Sequence, residues 1–303
     1  MGSFAKTAGG IGAAVLAGTT LTMAQAPAQA AAKKIVVVPC SSPALAAAIT
    51  AANTTPATLR LAANCTYDVT TAAVAGVDAL PIITGNVRLI GGPSTTIRRN
   101  PAAGTVRLLE VATTGTLRID GIFLLNGASP GSGGAIENAG ALTLNQVTVS
   151  GNTATTDGGG VNNAFGGRAL IFRTIVGQNA AQGGSGGGVN NVGSLTFQES
   201  RATANNAISV GTGGGGISNE LAATSRLIQS TLDHNTTTGS GGGIRNLGTT
   251  LVDHTLIERN TAAVDGGGIF NVPPGTVTVT VSIIRNNTPN NCSPLNTITG
   301  CTN

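Results

Sequence analysis

GGAIEN at 133–138, GGGVNN at 158–163, GGGVNN at 186–191, GGGISN at 214–219, GGGIRN at 241–246 and GGGIFN at 266–271 decide the fold of this 303-residue chain. The shared pattern is Gly-Gly-(Gly/Ala)-aliphatic-x-Asn. Its aliphatic members Ile136, Val161, Val189, Ile217, Ile244 and Ile269 are 25, 28, 28, 27 and 25 residues apart, and a period in that range is the mark of a repeat architecture. A second asparagine closes each unit, at Asn152, Asn179, Asn205, Asn235, Asn260 and Asn287. Ten, eight, five and three residues before it stand apolar or small side chains, such as Leu142, Leu144, Val147 and Val149. Steps of two mark strands; the step of three marks a bend between two of them.

A unit of roughly 26 residues has room for three short strands and their turns but none for a crossover helix. Antiparallel hairpins would not bring the same residue type to the same point of every unit. Winding the chain as a coil does, with each strand lying on its equivalent about 4.8 Å away. Asn138, Asn163, Asn191, Asn219, Asn246 and Asn271 then form a structural ladder at a corner. Asparagine can hydrogen-bond along such a file and tolerates left-handed backbone. The glycines supply positive φ and close coil-to-coil approach. The expectation is an all-β, single-stranded parallel β-helix.

Composition agrees. The chain has 45 Gly, 9% charged and 2% aromatic residues and no Trp, so it lacks the bulky side chains of an ordinary core and must rely on aliphatic stacking and backbone hydrogen bonds. The net charge of +4 falls to +3 when Lys6 leaves with residues 1–30, too little to indicate nucleic acid or an anionic membrane. Those thirty residues read as a secretory signal peptide: Lys6, an apolar run from Ile11 to Met23, then the small-residue stretch 26–30. The run is shorter than the roughly 20 residues that span a bilayer. Secretion, no membrane insertion and a monomer are expected.

Both ends of a solenoid need caps. Residues 41–53 read as a short capping helix, with Ser42 as N-cap, Pro43 in the first turn and Leu45, Ala48, Ile49 and Ala52 on one face. The reading places an N-terminal cap at 31–81, irregular coils at 82–132, six regular coils at 133–289 and a C-terminal cap at 290–303, all within a single domain of residues 31–303. Four cysteines in an exported chain suggest two disulfides, and sequence leaves three pairings. Cys40 with Cys65 and Cys292 with Cys301 are favoured because each closes a short loop.

These features carry a resemblance. The Gly-Gly-Ala-aliphatic and x-x-x-Asn signatures are similar to the repeats of chlamydial polymorphic outer-membrane proteins. The opening from Cys40 to Asn53 and the close from Asn291 to Cys301 resemble secreted right-handed β-helix proteins common in actinobacteria. The resemblance implies a right-handed, pectate-lyase-like solenoid and leaves activity open, because that superfold carries lyases, hydrolases, adhesins and chains of unknown role.

The chemistry-bearing residues are few. Asp233, Glu258 and Arg285 fall in one column and His234, Arg259 and Asn286 in the next. Two carboxylates about 5 Å apart would suit a retaining glycosidase, with His234 or Arg259 assisting. The preferred reading is an ion-pair ladder, because neighbouring coils bring any two carboxylates of one column to that distance. Arg173–Glu199 reads as a ladder contact of the same kind, and Asp253–His254 as a surface pair. Arg88, Arg98, Arg99, Arg107 and Arg118 cluster in the first coils with few acids nearby. They offer a basic patch for an acidic glycan or cell-wall polymer, against the plainer reading of solvated strand faces. Phe123, Phe165, Phe172, Phe197, Phe270 and Tyr67 read as packing. Asp157 and Asp265 precede only two of the six glycine runs, too few for a calcium-binding repeat. No cofactor or metal is expected. The expected function is a non-catalytic structural or binding solenoid that contacts an extracellular polysaccharide or cell-wall polymer, with a polysaccharide lyase or glycosidase as the alternative.

Overall fold

The computed structural model describes residues 1–2, 34–74, 76–209 and 211–302. The chain divides into two units, residues 1–32 and 33–303. The expected signal peptide lies outside the described residues apart from Met1 and Gly2. The second unit is a parallel β-solenoid of about ten turns.

The first five regular coils hold four strands each rather than three, and the sixth holds three. In the first of them these are Ile136–Asn138, Ala141–Asn145, Thr148–Ser150 and Thr153–Ala154. Each pairs in parallel with its equivalents above and below, which gives sheets 1 to 4 in that order, with 8, 11, 9 and 6 strands among the described residues. The two-residue strand of sheet 4 is too short for alternation to show in the sequence. Within the coil, Ile136, Leu142, Leu144 and Val149 point inward and are buried, as are their equivalents down the stack except the half-buried Ile284 of the last coil.

The six corner asparagines stand in single file, Asn138 to Asn271, in strand register. Each side-chain amide Nδ2 donates to the next Oδ1 at 2.7–2.9 Å. The file has a direction, so its first acceptor, Asn138 Oδ1, has no donor: the coil before it presents Val111 at that position. A second file runs from Asn152 to Asn287. In it each Oδ1 takes both the backbone N–H and the Nδ2 of the asparagine before, as when Asn179 donates to Asn205 at 3.1 and 3.0 Å. Gly127 N–H closes its start and Asn291 Oδ1 its end. Every member of both files is buried.

Left-handed backbone does not fall on these asparagines. It falls one residue earlier, at Asn126, Gly151, Gln178, Ala204, His234, Arg259 and Asn286, and again at the bend between sheets 2 and 3, at Gln146, Arg173, Glu199, Gln229, His254 and Val281. The corner asparagine points inward for its hydrogen bonds, and the residue before it absorbs the turn. Behind the second bend lies a ladder of hydroxyls: the N–H groups of Thr174, Ser200 and Ser230 donate to Ser200, Ser230 and Thr255 at 3.0–3.3 Å. Buried backbone donors are thereby satisfied at each corner.

The cap helix α1 spans Ser42–Thr54, with Ser41 rather than Ser42 as N-cap, and buries Leu45, Ile49 and Ala52. Beneath it Tyr67 is fully buried; its hydroxyl donates to Val38 O and accepts from Ala62 N–H, both at 2.9 Å. Cys40 is bonded to Cys65 and Cys292 to Cys301. Among the described residues no helix is long and apolar enough to cross a membrane.

Candidate functional site

Sheet 3 places Asp233, Glu258 and Arg285 at equivalent positions of successive strands, and its alternation turns them outward. Arg201, one coil earlier, grips Asp233 with both arms at 2.7 and 2.5 Å, and His234 Nδ1 lies 2.6 Å from the same carboxylate. Glu258 is held between Arg285 at 2.9 Å and Arg259 at 3.3 Å. Burial pushes the Asp233 carboxyl up, but hydrogen bonds from Arg201 and His234 outweigh it and hold the group below the usual carboxylate range. A glycosidase acid must keep a proton near neutral pH. Asp233 is built to stay ionised, and both of its oxygens are occupied. The column is an ion-pair ladder in which every carboxylate oxygen has a cationic or imidazole partner.

The five arginines read as a patch are largely neutralised. Arg88 and Arg118 share Asp120, at 2.8 and 2.7 Å, and Arg98 pairs with Asp68 at 3.0 Å. Arg99 donates to the carbonyls of Asn126 and Gly104. Arg107 is only 7% exposed and lies beside sheet 1, apart from the others. Acids distant in sequence meet these side chains because one coil of chain is one step of the solenoid. Three other arginines fit a free surface better. Arg60, Arg168 and Arg226 all stand at outward positions of sheet 2, exposed, and no hydrogen bond or ion pair holds their guanidinium groups among the described residues. The signal for them was the alternation inside ATLRL, RALIF and TSRLI, whose members Ala57, Leu59, Leu61, Ala169, Ile171, Ser225 and Leu227 face the core.

Charge is sorted by side. Sheets 2 and 3 and the bends at their ends carry most of the arginines. Sheet 1 and the turns beside it carry Asp78, Glu110, Glu137, Asp157, Glu220 and Asp265 against only Arg107 and Arg245. A weak net charge therefore conceals a basic side and an acidic one.

On the acidic side, Arg107 Nη1 contacts both Asp78 (3.1 Å) and Glu110 (2.5 Å), and Glu137 follows Glu110 in strand register. Asp78 is fully buried, and its Oδ2 and Glu137 Oε2 have no hydrogen-bond partner among the described residues. One guanidinium cannot balance three carboxylates. Burial, reinforced by Glu110 and Glu137 and only partly offset by Arg107, pushes Asp78 up to about 6; burial also raises Glu137. The sign comes from linkage. The folded state binds a proton that the unfolded chain has already released, so stability from Asp78 is complete below the unfolded value of 3.8 and is lost as pH rises through about 6. The melting temperature is expected to fall between pH 4 and pH 7, and in Asp78→Asn that fall should be absent or strongly reduced. An unchanged pH profile in Asp78→Asn would show that the proton sits elsewhere. The cluster escaped the sequence because Asp78 comes from an irregular coil 29 residues before Arg107.

Phe165 is 85% and Phe123 40% exposed, so neither is core packing, whereas Phe197 is fully buried. No group of His, Cys, Asp and Glu among the described residues is placed to hold a metal ion. No protein-family model, curated protein or solved structure matches the chain.

Proposed function

We propose that this chain is a secreted, non-catalytic β-solenoid that binds an anionic extracellular or cell-wall polymer along the outer face of sheet 2. The observation that carries the reading is a staggered row of exposed arginines on the outer face of sheet 2, Arg60, Arg168 and Arg226, whose guanidinium groups no hydrogen bond or ion pair holds among the described residues. Arg60 stands in register with Ile228 and Arg168 with Thr224, and Arg226 lies between those two positions. Guanidinium groups left without partners are suited to carboxylate or phosphate recognition. From Arg60 to Arg226 the row crosses five intervening strands of sheet 2, a span of roughly 29 Å at the spacing of stacked strands. That is the reach of a polymer segment rather than of a small ligand. The neutralised state of Asp233 and Glu258 supports a binding role over a lyase or glycosidase. The right-handed, pectate-lyase-like path implied by the resemblance belongs to the same reading, as does export, which suits two disulfides.

Co-sedimentation with immobilised polygalacturonate and with neutral dextran tests it. Retention on the polyanion is expected, weakening as salt rises and falling several-fold in Arg60→Gln/Arg168→Gln/Arg226→Gln. Equal retention of that variant would remove the site. Turnover of any polysaccharide that disappears in Glu258→Gln would replace binding with catalysis.

A further inference from the structure

The connection from sheet 1 to sheet 2 alternates in length from one coil to the next. Asn138 to Ala141, Asn191 to Ser194 and Asn246 to Thr249 are short links, as is Ile83 to Asn86. Val111 to Thr116, Asn163 to Arg168, Asn219 to Thr224 and Asn271 to Thr276 are each two residues longer. Strand register stacks these links in strict succession, short and long in turn through eight coils. Each long link is clipped at its base: Gly115, Gly167, Ala223 and Gly275 donate to Ala112, Ala164, Glu220 and Val272 at 2.8–3.0 Å. The two extra residues project as Thr113–Thr114, Phe165–Gly166, Leu221–Ala222 and Pro273–Pro274, all exposed. Phe165 is 85% and Leu221 66% exposed at these tips.

Packing explains only part of this. A Cβ on Gly140 would lie 2.3 Å from Ala112 O, and one on Gly248 2.2 Å from Ala223 O. The base of a long link thus leans on the neighbouring coil. Nothing in that contact requires any long link, since the short one closes the coil as well. Two of the four coils with projecting tips carry an unpaired arginine on sheet 2, Arg168 and Arg226; Arg118 is held by Asp120 and the strand Thr276–Thr280 has none, while the intervening strands Ala141–Asn145, Ser194–Gln198 and Thr249–Asp253 carry no arginine. Between the first two tips lies a notch of about 280 Å³, walled by Thr114 and Gly166, floored by Ala139 and Gly140 and edged by Arg168.

Tips thus repeat every second coil, about 10 Å at the spacing of stacked strands, and Arg168 and Arg226 stand one such interval apart. We propose that this comb seats an extended β-1,4-linked glycan bearing one carboxylate per disaccharide, lying along the solenoid axis. The inference rests on the polymer-binding reading and names its ligand. In an extended β-1,4-linked chain alternate sugars face opposite ways, so the structure repeats every two sugars, over a length that matches two coils. Carboxylates one repeat apart then meet Arg168 and Arg226. An exposed apolar tip such as Phe165 or Leu221 offers a surface on which the face of a sugar ring can rest. A smooth chain with a charge on every sugar would leave half its charges facing coils without a cation.

The test compares three octasaccharides against the full chain by calorimetry. They are peptide-free β-1,4-linked GlcNAc–MurNAc, neutral β-1,4-linked chito-oligosaccharide, and α-1,4-linked oligogalacturonate. The alternating acidic β-1,4 chain is expected to bind at least tenfold more tightly than either of the others. Phe165→Ser/Leu221→Ser, which leaves the backbone of the links intact, should erase that preference while residual salt-sensitive binding to oligogalacturonate persists. Arg168→Gln/Arg226→Gln should weaken both acidic ligands. Equal affinity for the two acidic ligands, or a preference that survives loss of both tips, would overturn the comb and leave the polymer-binding reading standing. Absence of binding to all three would defeat both. A dimer in sedimentation that dissociates on loss of the tips would show that the comb seats a second copy of this chain, and would overturn the glycan.

Discussion

Replacing Asn205 with alanine is expected to lower the unfolding free energy by about 3–5 kcal/mol, from the cost of buried donors and acceptors left unpaired. Asn205 Oδ1 accepts the backbone N–H and the Nδ2 of Asn179, and its own Nδ2 donates to Val176 O and Asn235 Oδ1. Alanine keeps the backbone bonds and removes all of these together, in a site with no access for water. Repeat proteins hold together through contacts between nearest neighbours, so the loss also loosens the coupling between the two halves of the solenoid. Asn138→Ala should cost roughly half as much, because Asn138 begins its file and its Oδ1 receives no donor even in the native protein. Denaturant unfolding measures both. A cost for Asn205→Ala no larger than that for Asn138→Ala would mean that the files are ornament rather than structure.

The second large effect belongs to Gly187→Ala, expected to destabilise by about 3 kcal/mol, the upper range for overpacking. A Cβ there would meet the backbone C, O and N of Asn206 at 2.5, 2.5 and 2.6 Å. These atoms belong to the next coil and are themselves hydrogen-bonded; Asn206 N–H donates to Asn179 O. Relief would require neighbouring coils to separate, which would break the ladders beside them. Gly166→Ala is the control. Its φ of +79° costs an L-residue about 1 kcal/mol, but nothing lies within 4 Å of its Cβ. Thermal melts should therefore rank Gly187→Ala well below Gly166→Ala. The reverse order would show that backbone angle, not coil-to-coil contact, is why these runs are glycine.

The two results bear on what the glycine–asparagine repeat is for. The first glycine of each run turns the chain, as at Gly186 with φ +68°; the second lets the coils touch; the asparagine closes the polar groups that the corner exposes. None of these jobs concerns a ligand. Function was correspondingly hard to read in the repeat and easier in what interrupts it: the two extra residues of alternate links, Arg60, Arg168 and Arg226 on otherwise neutral strands, and the crowded carboxyls around Arg107.

What sequence alone determined is everything that recurs. A period near 26 residues with an invariant asparagine admits no arrangement but stacked equivalents, so the solenoid, its corner file and its inward columns were legible before any coordinate. The pairings of Cys40 with Cys65 and Cys292 with Cys301 could be ranked from loop length. The tertiary structure alone decided the partners of side chains that share no column of the regular repeat. Asp120 between Arg88 and Arg118, Arg201 on Asp233, Asp78 beneath Arg107 and the exposed tip of Phe165 all depend on which outward residues the stacking brings within reach. The physical reason is that the period is set by the core and by hydrogen-bonded corners, which repeat because every coil must satisfy the same groups. The outer surface answers to no such constraint, so its contacts arise from the particular residue that one coil happens to set above another.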